Sequence, residues 1–269
     1  MRAKVQEWAE YSIGLVPTMG ALHAGHRSLI ERADAENDLV VVSIFVNPLQ
    51  FGPGEDLARY PRPVANDLEM LRGMDVDAVY MPAVEDMYPE SSSTRVVVGG
   101  VSEPLEGASR PGHFDGVATV VTKLFWAVDP DRAYFGQKDA QQVAVVKRLA
   151  ADLDTGVEIV VCPIVREADG LAVSSRNAYL STAERAAALS LSMSLRAAAE
   201  MYASGERDPG RLRARIHEVL AAQPLARIDY AELVEPSTFE APGTLAVVAA
   251  RIGKTRLIDN HDVSKAFPG

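Results

Sequence analysis

The sequence predicts an α/β fold in which a parallel sheet comes first and a smaller α+β domain follows. Two observations support this prediction. Short apolar, β-branched runs alternate with helix-periodic segments through about the first 160 residues, which is typical of parallel sheets. After about residue 165, helices come first and strands follow, without alternation. We therefore expect one domain at residues 1–164 and a second at residues 165–269, the second covering the functional site of the first.

Five runs in the first domain are the clearest strand candidates: "IGLV" (13–16), "LVVVSIFV" (39–46), "DAVYM" (77–81), "RAYF" (132–135) and "VEIVV" (157–161). The run from 39 to 46 is almost continuously hydrophobic, which indicates burial on both faces by flanking helices. Helical periodicity lies between the strands, for example at Val143, Val146 and Leu149.

Local signals also place the elements of the second domain. Ser181 and Glu184 have the capping-box spacing and open an Ala- and Leu-rich helix that extends through Tyr202. Asp208 before Pro209 predicts the start of a second helix with an apolar stripe at residues 212, 216, 219 and 220. Three strand candidates follow: "RIDYAELV", "TLAVVAAR" and "TRLID".

Composition excludes several functional classes. Lys plus Arg is 27 and Asp plus Glu is 37, so the net charge is -10 with no basic block, and a nucleic-acid surface is disfavoured. No run approaches the roughly 18 apolar residues of a membrane-spanning helix, and no secretion signal is visible. The single Cys162 cannot form an intrachain disulfide, so we expect a cytoplasmic protein. Cys162 follows an apolar run and precedes a proline, which favours a buried strand-end thiol over a nucleophile.

Ligands of open parallel sheets bind at the carboxyl ends of the strands. Four loops at such ends are unusual here: "PTMGALHAGH", "NPLQFGPGED", "GQKDAQQ" and "PIVREADGLAVSSRN". We expect all four to open onto one cleft.

Two histidines in the first loop are the strongest candidates for chemistry. His23 and His26 lie three residues apart where a helix is predicted to begin near Gly25, so both imidazoles can converge on one group. The free N–H groups of a helix start favour an anion such as phosphate. Gly25 removes side-chain bulk, which would let a base or a phosphate approach the backbone. The alternative is that both imidazoles are ordinary packed or surface groups.

The third and fourth loops offer cationic and hydroxyl groups. Lys138 and Asp139 directly follow a strand; the lysine suits an oxyanion, although a solvated charge pair is the alternative. Ser174, Ser175 and Arg176 in "SSRN" suit a polyphosphate, although this stretch alone more often forms a turn. The sequence holds no "GxxxxGK" motif, so a P-loop is excluded.

Taken together, these motifs resemble those of the pantothenate synthetases. The stretches that match in order are "VPTMGALHAGH", "SIFVNPLQF", "YPR", "RPGHFDGV", "FGQKDAQQ" and "READGLAVSSRN", with a looser match at residues 257–260. The resemblance implies an ATP-dependent, AMP-forming ligase that joins pantoate and β-alanine through a pantoyl adenylate and releases pyrophosphate. It also implies a Rossmann-like sheet of the HxGH nucleotidyltransferase type and a homodimer.

The family pattern implies roles for individual residues. His26, matched to a proton donor, His23, Lys138 and Arg176 are the implied catalytic residues. Gln50 is implied to contact pantoate and β-alanine, and Gln142 to contact pantoate; an amide both accepts and donates, although either glutamine alone would be interpreted as a surface residue. The implied ATP site comprises Met19, Gly20, Ala21, Leu22, His23, Ala24, Gly25, His26, Gly136, Gln137, Lys138, Asp139, Val165, Val173, Ser174, Ser175 and Arg176.

The sequence departs from the family pattern at three places. Val173 stands where methionine is usual. Asn66 and Asp67 stand where some relatives have paired acids assigned to magnesium. Only Asp67 could serve as an ionic ligand, so we assign no protein metal ligand and expect Mg²⁺ to arrive mainly on the ATP phosphates. Only twelve residues precede Ile13, where relatives usually carry an extra strand; an altered sheet edge and a truncated start are the two alternatives.

The segment "FGPGEDLARYPR", residues 51–62, is predicted to be a lid. It follows a buried strand, is rich in glycine and proline, and is too polar in its middle to join the core. A closed lid would keep water from an acyl adenylate; the alternative is an inert surface loop.

Two other functions compete with the ligase. The first is another HxGH nucleotidyltransferase, which would not need Gln50 and Gln142 to face one pocket. The second is a regulatory nucleotide-binding module without catalysis, against which the complete set of phosphate-directed groups argues.

Overall fold

The computed structural model of the chain describes residues 1–268. Its α-helices are α1 (Arg2–Gln6), α2 (Ala24–Glu36), α3 (Val64–Arg72), α4 (Val84–Met87), α5 (Glu106–Ser109), α6 (His113–Val128), α7 (Ala140–Asp152), α8 (Thr182–Ala203) and α9 (Pro209–Ala221). Its strands are β1 (Ile13–Thr18), β2 (Leu39–Ile44), β3 (Ala78–Tyr80), β4 (Arg132–Gly136), β5 (Glu158–Cys162), β6 (Ala226–Val234), β7 (Leu245–Ile252) and β8 (Thr255–Asp262). Short 3-10 helices lie at Pro48–Gln50, Asp56–Ala58, Gln137–Asp139 and Ser175–Tyr179.

The chain forms two compact units. Unit 1 comprises Met1–Gly136 and Val145–Pro163, and unit 2 comprises Gln137–Ala144 and the chain from Ile164 onwards. Helix α7 therefore begins in unit 2 and ends in unit 1. No helix among residues 1–268 is long and apolar enough to cross a membrane.

Unit 1 is built on a five-stranded parallel sheet with the order β3-β2-β1-β4-β5. The predicted sheet is confirmed. Strands β1 and β2 are buried along most of their length, as the nearly continuous hydrophobicity of residues 39–46 predicted for β2. Helix α2 packs Leu29, Ile30 and Ala33 into the same core. Because the chain runs outward from β1 through β2 to β3 and then returns to β4, the order reverses between β1 and β4, which is where open sheets bind ligands.

Strand β2 ends two residues earlier than predicted, at Ile44. The reason is Asn47, whose side-chain oxygen accepts a hydrogen bond from Leu49 N at 3.2 Å and caps the 3-10 helix Pro48–Gln50. Cys162 is buried at the end of β5, and burial raises the pKa of its thiol. Both observations agree with the predicted inert thiol.

Unit 2 packs α8 and α9 with the antiparallel sheet β6-β7-β8, which confirms the predicted α+β character. The Ser181 hydroxyl accepts from Glu184 N at 3.3 Å, and the Glu184 carboxylate accepts from Ser181 N at 2.9 Å. The Asp208 carboxylate caps α9 by accepting from Gly210 N at 2.7 Å. These contacts are the capping box and the N-cap that the sequence predicted.

A buried ion pair links two segments of unit 2. The guanidinium of Arg166 donates to both carboxylate oxygens of Asp259, at 2.7 and 3.0 Å. The Arg166 and Asp259 side chains are 9% and 2% exposed. Removing one partner of such a pair leaves a buried charge without compensation.

Asp259→Asn is therefore expected to lower the free energy of unfolding by about 3–5 kcal/mol, measured by urea unfolding followed by circular dichroism. The matched control is Glu218→Gln, which removes a carboxylate from the exposed pair with Arg215 and should change the stability by less than about 0.5 kcal/mol. Equal changes in the free energy of unfolding in the two variants would contradict the large stabilisation expected from the Arg166–Asp259 pair.

Candidate active site

The loop after β1 turns sharply inside unit 1. The Thr18 hydroxyl donates to Ser43 O at 2.7 Å and accepts from Gly20 N at 3.1 Å. Gly20 and Ala21 then adopt positive φ angles of 80° and 51°. Glycine adopts this region freely, whereas alanine does so only under strain. The loop that is implied to bind ATP is therefore held in a conformation that its own backbone does not favour.

A carboxylate from α3 holds this strained turn. Asp67 is 2% exposed and accepts from Leu22 N at 2.8 Å and from Ala21 N at 2.9 Å. This contact could not be predicted from the sequence, because Asp67 and Leu22 lie 45 positions apart in the chain.

The two histidines lie where the sequence predicted, at the start of α2. His23 is the N-cap residue, and the His23 and His26 rings stack with centroids 4.0 Å apart. His26 Nδ1 accepts a hydrogen bond from His23 N at 3.3 Å, so in the neutral ring the proton is assigned to Nε2. His26 Nε2–H is then a donor beside the N-terminus of α2, where the helix dipole favours an anion.

The structure shows a second constraint at Gly25, beside the predicted access for a ligand. A Cβ atom at residue 25 would lie 3.0 Å from Cε1 of His23. A side chain at residue 25 would therefore require the His23 ring to move by a few tenths of an ångström.

Gln50 is buried near the end of β2, not on the surface as its residue type alone suggested. Asn47 donates to Gln50 Oε1 at 3.0 Å, and Gln50 Nε2 donates to the Met19 sulfur at 3.2 Å. The Tyr88 hydroxyl donates to Asn47 Oδ1 at 2.9 Å, and burial raises the pKa of Tyr88 to about 12, so this hydroxyl keeps its proton. The side chain of Gln50 thus has a fixed orientation next to the loop after β1.

The backbone of Gln50 is held just as closely. A Cβ at Gly116 of α6 would lie 2.4 Å from the Leu49 carbonyl, so only glycine allows this close packing. His113 Nδ1 lies 2.8 Å from Gln50 O and His113 Nε2 lies 3.0 Å from Arg110. Burial and the Arg110 cation lower the pKa of His113 to about 4. Neutral His113 therefore donates to Gln50 O through Nδ1 and accepts from Arg110 through Nε2.

The predicted lid is anchored within unit 1. Arg110 donates to both carboxylate oxygens of Glu55, each at 2.7 Å. Burial alone would raise the pKa of Glu55, but the hydrogen bonds and charge of Arg110 outweigh it and lower the pKa. Tyr60 is also buried, at 6% exposure, with its ring against Phe51. The segment is more structured than a free loop, and its closure over a ligand stays a prediction.

In unit 2, the segment after β4 is held by the last strand. Asn260 is 3% exposed; its amide donates to Gln137 O at 2.9 Å and to Lys138 O at 3.0 Å and accepts from Gln137 Nε2 at 3.3 Å. Lys138 Nζ lies 3.8 Å from Asp139. In the sequence, residues 257–260 were only a looser match to the family motifs. The structure shows that Asn260 holds the backbone at Gln137 and Lys138.

The segment after β5 forms a tight hairpin in unit 2. Val173 N donates to Val165 O at 2.9 Å, and Arg166 pairs with Ala172. Val165 and Val173 are thus neighbours across the hairpin. The Ser174 hydroxyl accepts from Arg176 N at 3.3 Å and caps the 3-10 helix Ser175–Tyr179. "SSRN" therefore opens a 3-10 helix, and the contact of Ser174, Ser175 and Arg176 with a polyphosphate stays a prediction.

The structure thus brings together Met19 with Gln50 and His23 with His26 in unit 1, and Val165 with Val173 in unit 2. It adds the positioning residues Asn47, Asp67, Tyr88, Arg110, His113 and Asn260. The stretch "RPGHFDGV" contains Arg110, His113 and Gly116. The sequence alone did not show that these residues contact the backbone at Leu49 and Gln50. Gln142 lies in the first turn of α7 and is half-buried.

Known proteins are similar to this chain in sequence and in fold. The family model described as pantoate-beta-alanine ligase matches residues 1–262. A pantothenate synthetase of Acidobacterium capsulatum is 58% identical over 264 residues, covering 96% of this chain and 88% of that protein. The pantothenate synthetase of Herpetosiphon aurantiacus is 53% identical, with coverage of 97% and 96%.

Solved structures agree with these matches. A crystal structure of the Thermus thermophilus pantothenate synthetase has a TM-score of 0.94 at 47% identity and covers 98% of each chain. The pantoate-beta-alanine ligase of Francisella tularensis, complexed with Beta-gamma ATP and beta-alanine, has a TM-score of 0.80 at 37% identity and covers 95% of this chain and 91% of that one. With a family model matched over nearly its whole length and relatives above half identity, this chain belongs to the pantoate-beta-alanine ligase family of enzymes.

Proposed function

We propose that this enzyme forms pantothenate from pantoate and β-alanine through a pantoyl adenylate, releasing pyrophosphate and then AMP. The observation that carries the proposal is the loop of residues 19–26, where a braced turn, stacked histidines and the start of α2 lie directly after the central strand. Such a helix start binds phosphate. The Francisella relative, complexed with Beta-gamma ATP and beta-alanine, supports the same assignment.

Two displacements make up the proposed reaction. A pantoate carboxylate oxygen attacks the α-phosphorus of ATP, and the bond to the β-phosphate oxygen breaks as pyrophosphate leaves. The amine of β-alanine then attacks the acyl carbon, loses a proton and expels AMP. Charge on phosphate oxygens dominates the first step, so the protein mainly positions the reactants and donates hydrogen bonds.

Unit 1 supplies the groups with the best-defined geometry for this chemistry. His26 Nε2–H is fixed as a donor because Nδ1 accepts from His23 N, which suits the proton-donor role that the family pattern implies. His23 stacks on His26 and fixes its plane. We assign both imidazoles to phosphate oxygens whose charge grows as pyrophosphate departs.

Gln50 is the proposed contact for pantoate and β-alanine. Its amide is pre-oriented by Asn47 and Met19, and its backbone is held by His113. A pre-oriented amide lowers the cost of ordering the site when a substrate arrives. Gln142, in the first turn of α7, is the proposed second contact for pantoate.

Unit 2 supplies the remaining phosphate-directed groups. We assign Lys138 and Arg176 to phosphate oxygens, with Ser174 and Ser175 as hydroxyl donors. The residues that line the ATP site in the proposal remain those that the family pattern implies. A homodimer and a cytoplasmic location belong to the same proposal.

Magnesium is proposed to arrive on the ATP phosphates with its waters. Among residues 1–268, no group of three or more His, Cys, Asp or Glu side chains is arranged to hold a metal ion. Mg²⁺ bound to nucleotide phosphates needs few protein ligands. When bound, it would neutralise charge on the leaving pyrophosphate.

An omission assay tests the function. AMP release from ATP should require pantoate, and pantothenate should form only when β-alanine is also present. A dinucleotide-forming or differently acylating HxGH enzyme would release no AMP in response to pantoate, and a regulatory module would release none at all. Either outcome would contradict the proposal.

The proposed role of His26 in adenylate formation can be tested by substitution. His26→Ala is expected to slow adenylate formation by about a hundredfold or more while weakening ATP binding far less, because its hydrogen bond strengthens as charge develops on the transferring phosphate. His23→Ala should behave similarly. Single-turnover rates and ATP dissociation constants distinguish the two effects, and His217→Ala on α9 is the histidine control. A weaker ATP affinity with an unchanged single-turnover rate would reduce both residues to ground-state binders.

The second prediction concerns the glutamines. Gln50→Ala and Gln142→Ala should impair the use of pantoate by about 1–3 kcal/mol each, since a polar group of the substrate loses its partner. ATP affinity, measured by calorimetry, should remain nearly unchanged, with Gln223→Ala after α9 as the control substitution. Loss of ATP binding in both variants would mean that the glutamines have been assigned to the wrong ligand.

The third prediction concerns Asn260 as a positioning residue. Asn260→Ala removes two donors from the backbone carbonyls of Gln137 and Lys138, so kcat should fall while the pantoate KM changes little. Asn260→Asp keeps an acceptor for Gln137 but loses both donors and should not rescue. Hydrogen exchange at residues 137–139 should speed up in both variants. Normal exchange together with a normal kcat would exclude this role.

A further inference from the structure

We infer that Asp67 is a positioning residue that holds the loop at residues 20–22, proposed to bind the nucleotide, in its observed turn, and that it does not serve as a magnesium ligand. The loop's role in binding ATP rests on the function proposed above, but the contacts themselves do not. The neighbouring position is Asn66, so Asp67 is the only carboxylate of this residue pair.

Both oxygens of the Asp67 carboxylate are already engaged. Oδ1 accepts from Leu22 N at 2.8 Å and Oδ2 accepts from Ala21 N at 2.9 Å. The residue is 2% exposed, so its oxygens are turned toward the backbone and away from solvent. A Mg²⁺ ion carried by nucleotide phosphates demands a near-octahedral shell and keeps most of its waters. Each oxygen keeps a second lone pair, but a side chain that is 2% exposed presents almost no oxygen surface to a hydrated ion.

The geometry of the loop explains why a carboxylate is needed. Gly20 and Ala21 have φ angles of 80° and 51°, and a non-glycine residue at positive φ persists only where its surroundings hold it there. Hydrogen bonds from backbone N–H to an ionised acceptor are stronger than those to a neutral one. Two such bonds on successive residues offset the strain at Ala21.

The fit between the loop and the carboxylate is also close. A Cβ at Gly20 would lie 3.0 Å from Asp67 Oδ2, so the carboxylate packs directly against the glycine backbone. Asp67 therefore selects glycine at residue 20 as well as the turn that follows. Helix α3 thereby sets the shape of the loop between β1 and α2.

Asp67→Asn tests this role in protein without nucleotide or metal. The amide keeps one acceptor but turns an NH₂ group toward a backbone N–H, so exchange at the amides of Ala21 and Leu22 should speed up by about tenfold or more. Glu69→Gln is the matched control, since this carboxylate lies on the same helix and pairs with Arg72 at the surface. Unchanged exchange at residues 21 and 22 in Asp67→Asn would overturn the inference.

ATP binding provides the second measurement. A positioning role predicts that Asp67→Asn weakens ATP binding by the same factor in EDTA and in saturating Mg²⁺. A loss confined to Mg²⁺, with metal-free binding unchanged, would show that Asp67 is a metal ligand and overturn the inference. Failure of the wild-type protein to bind ATP at all would contradict the proposed function and leave the exchange result standing.

A second variant covers the case in which Asp67→Asn does not fold. Adding Ala21→Gly removes the penalty for positive φ, so the double variant should fold and should recover part of the lost ATP affinity. A double variant that remains unfolded would overturn the inference, because Asp67 would then support the unit as a whole.

Discussion

The central position of β1 is the constraint on which the rest of unit 1 depends. Strand β1 pairs in parallel with β2 on one side and β4 on the other, so the direction of chain progression reverses beside it. The loop after β1 therefore leaves the sheet at the place where open α/β sheets bind ligands. The sharp turn at residues 20–22 and the start of α2, with its two imidazoles, therefore lie at this place.

Side chains from distant segments hold the loops that are proposed to bind the substrates. In unit 1, Asp67 supports the turn at residues 20–22, and Asn47 orients Gln50. In unit 2, Asn260 supports the backbone at Gln137 and Lys138. Each supporting side chain is buried, so its hydrogen bonds are formed without competition from water. A single pattern thus recurs: a buried polar side chain, distant in sequence, fixes a loop whose own residues are assigned to the substrates.

Local signals in the sequence account for much of the fold. The Asp208 cap, the Ser181–Glu184 capping box and the unbroken apolar strands act over a few residues, so their patterns are visible along the chain. His23 and His26 were found for the same reason: their spacing, and the helix start after a strand, are local.

Contacts between distant segments could not be predicted from these patterns. In the sequence, nothing distinguishes Asp67 and Asn260 from ordinary polar residues. Their roles depend on hydrogen bonds to distant segments, which only the structure shows. The close approach of the His23 ring to Gly25 is likewise visible only in the structure. The inclusion of Gln137–Ala144 in unit 2 has a similar origin, because the hydrogen bonds from Asn260 that hold this segment come from more than a hundred residues later in the chain.

The most direct measurement of the proposed chemistry follows a heavy oxygen isotope placed in the carboxylate of pantoate. If a pantoyl adenylate forms, one labelled carboxylate oxygen becomes bonded to the α-phosphorus. When β-alanine attacks the acyl carbon, the bond from this carbon to the labelled oxygen breaks and the oxygen leaves with AMP. AMP should therefore carry the label and pyrophosphate should not. Unlabelled AMP, or label in inorganic phosphate accompanied by ADP, would contradict the account.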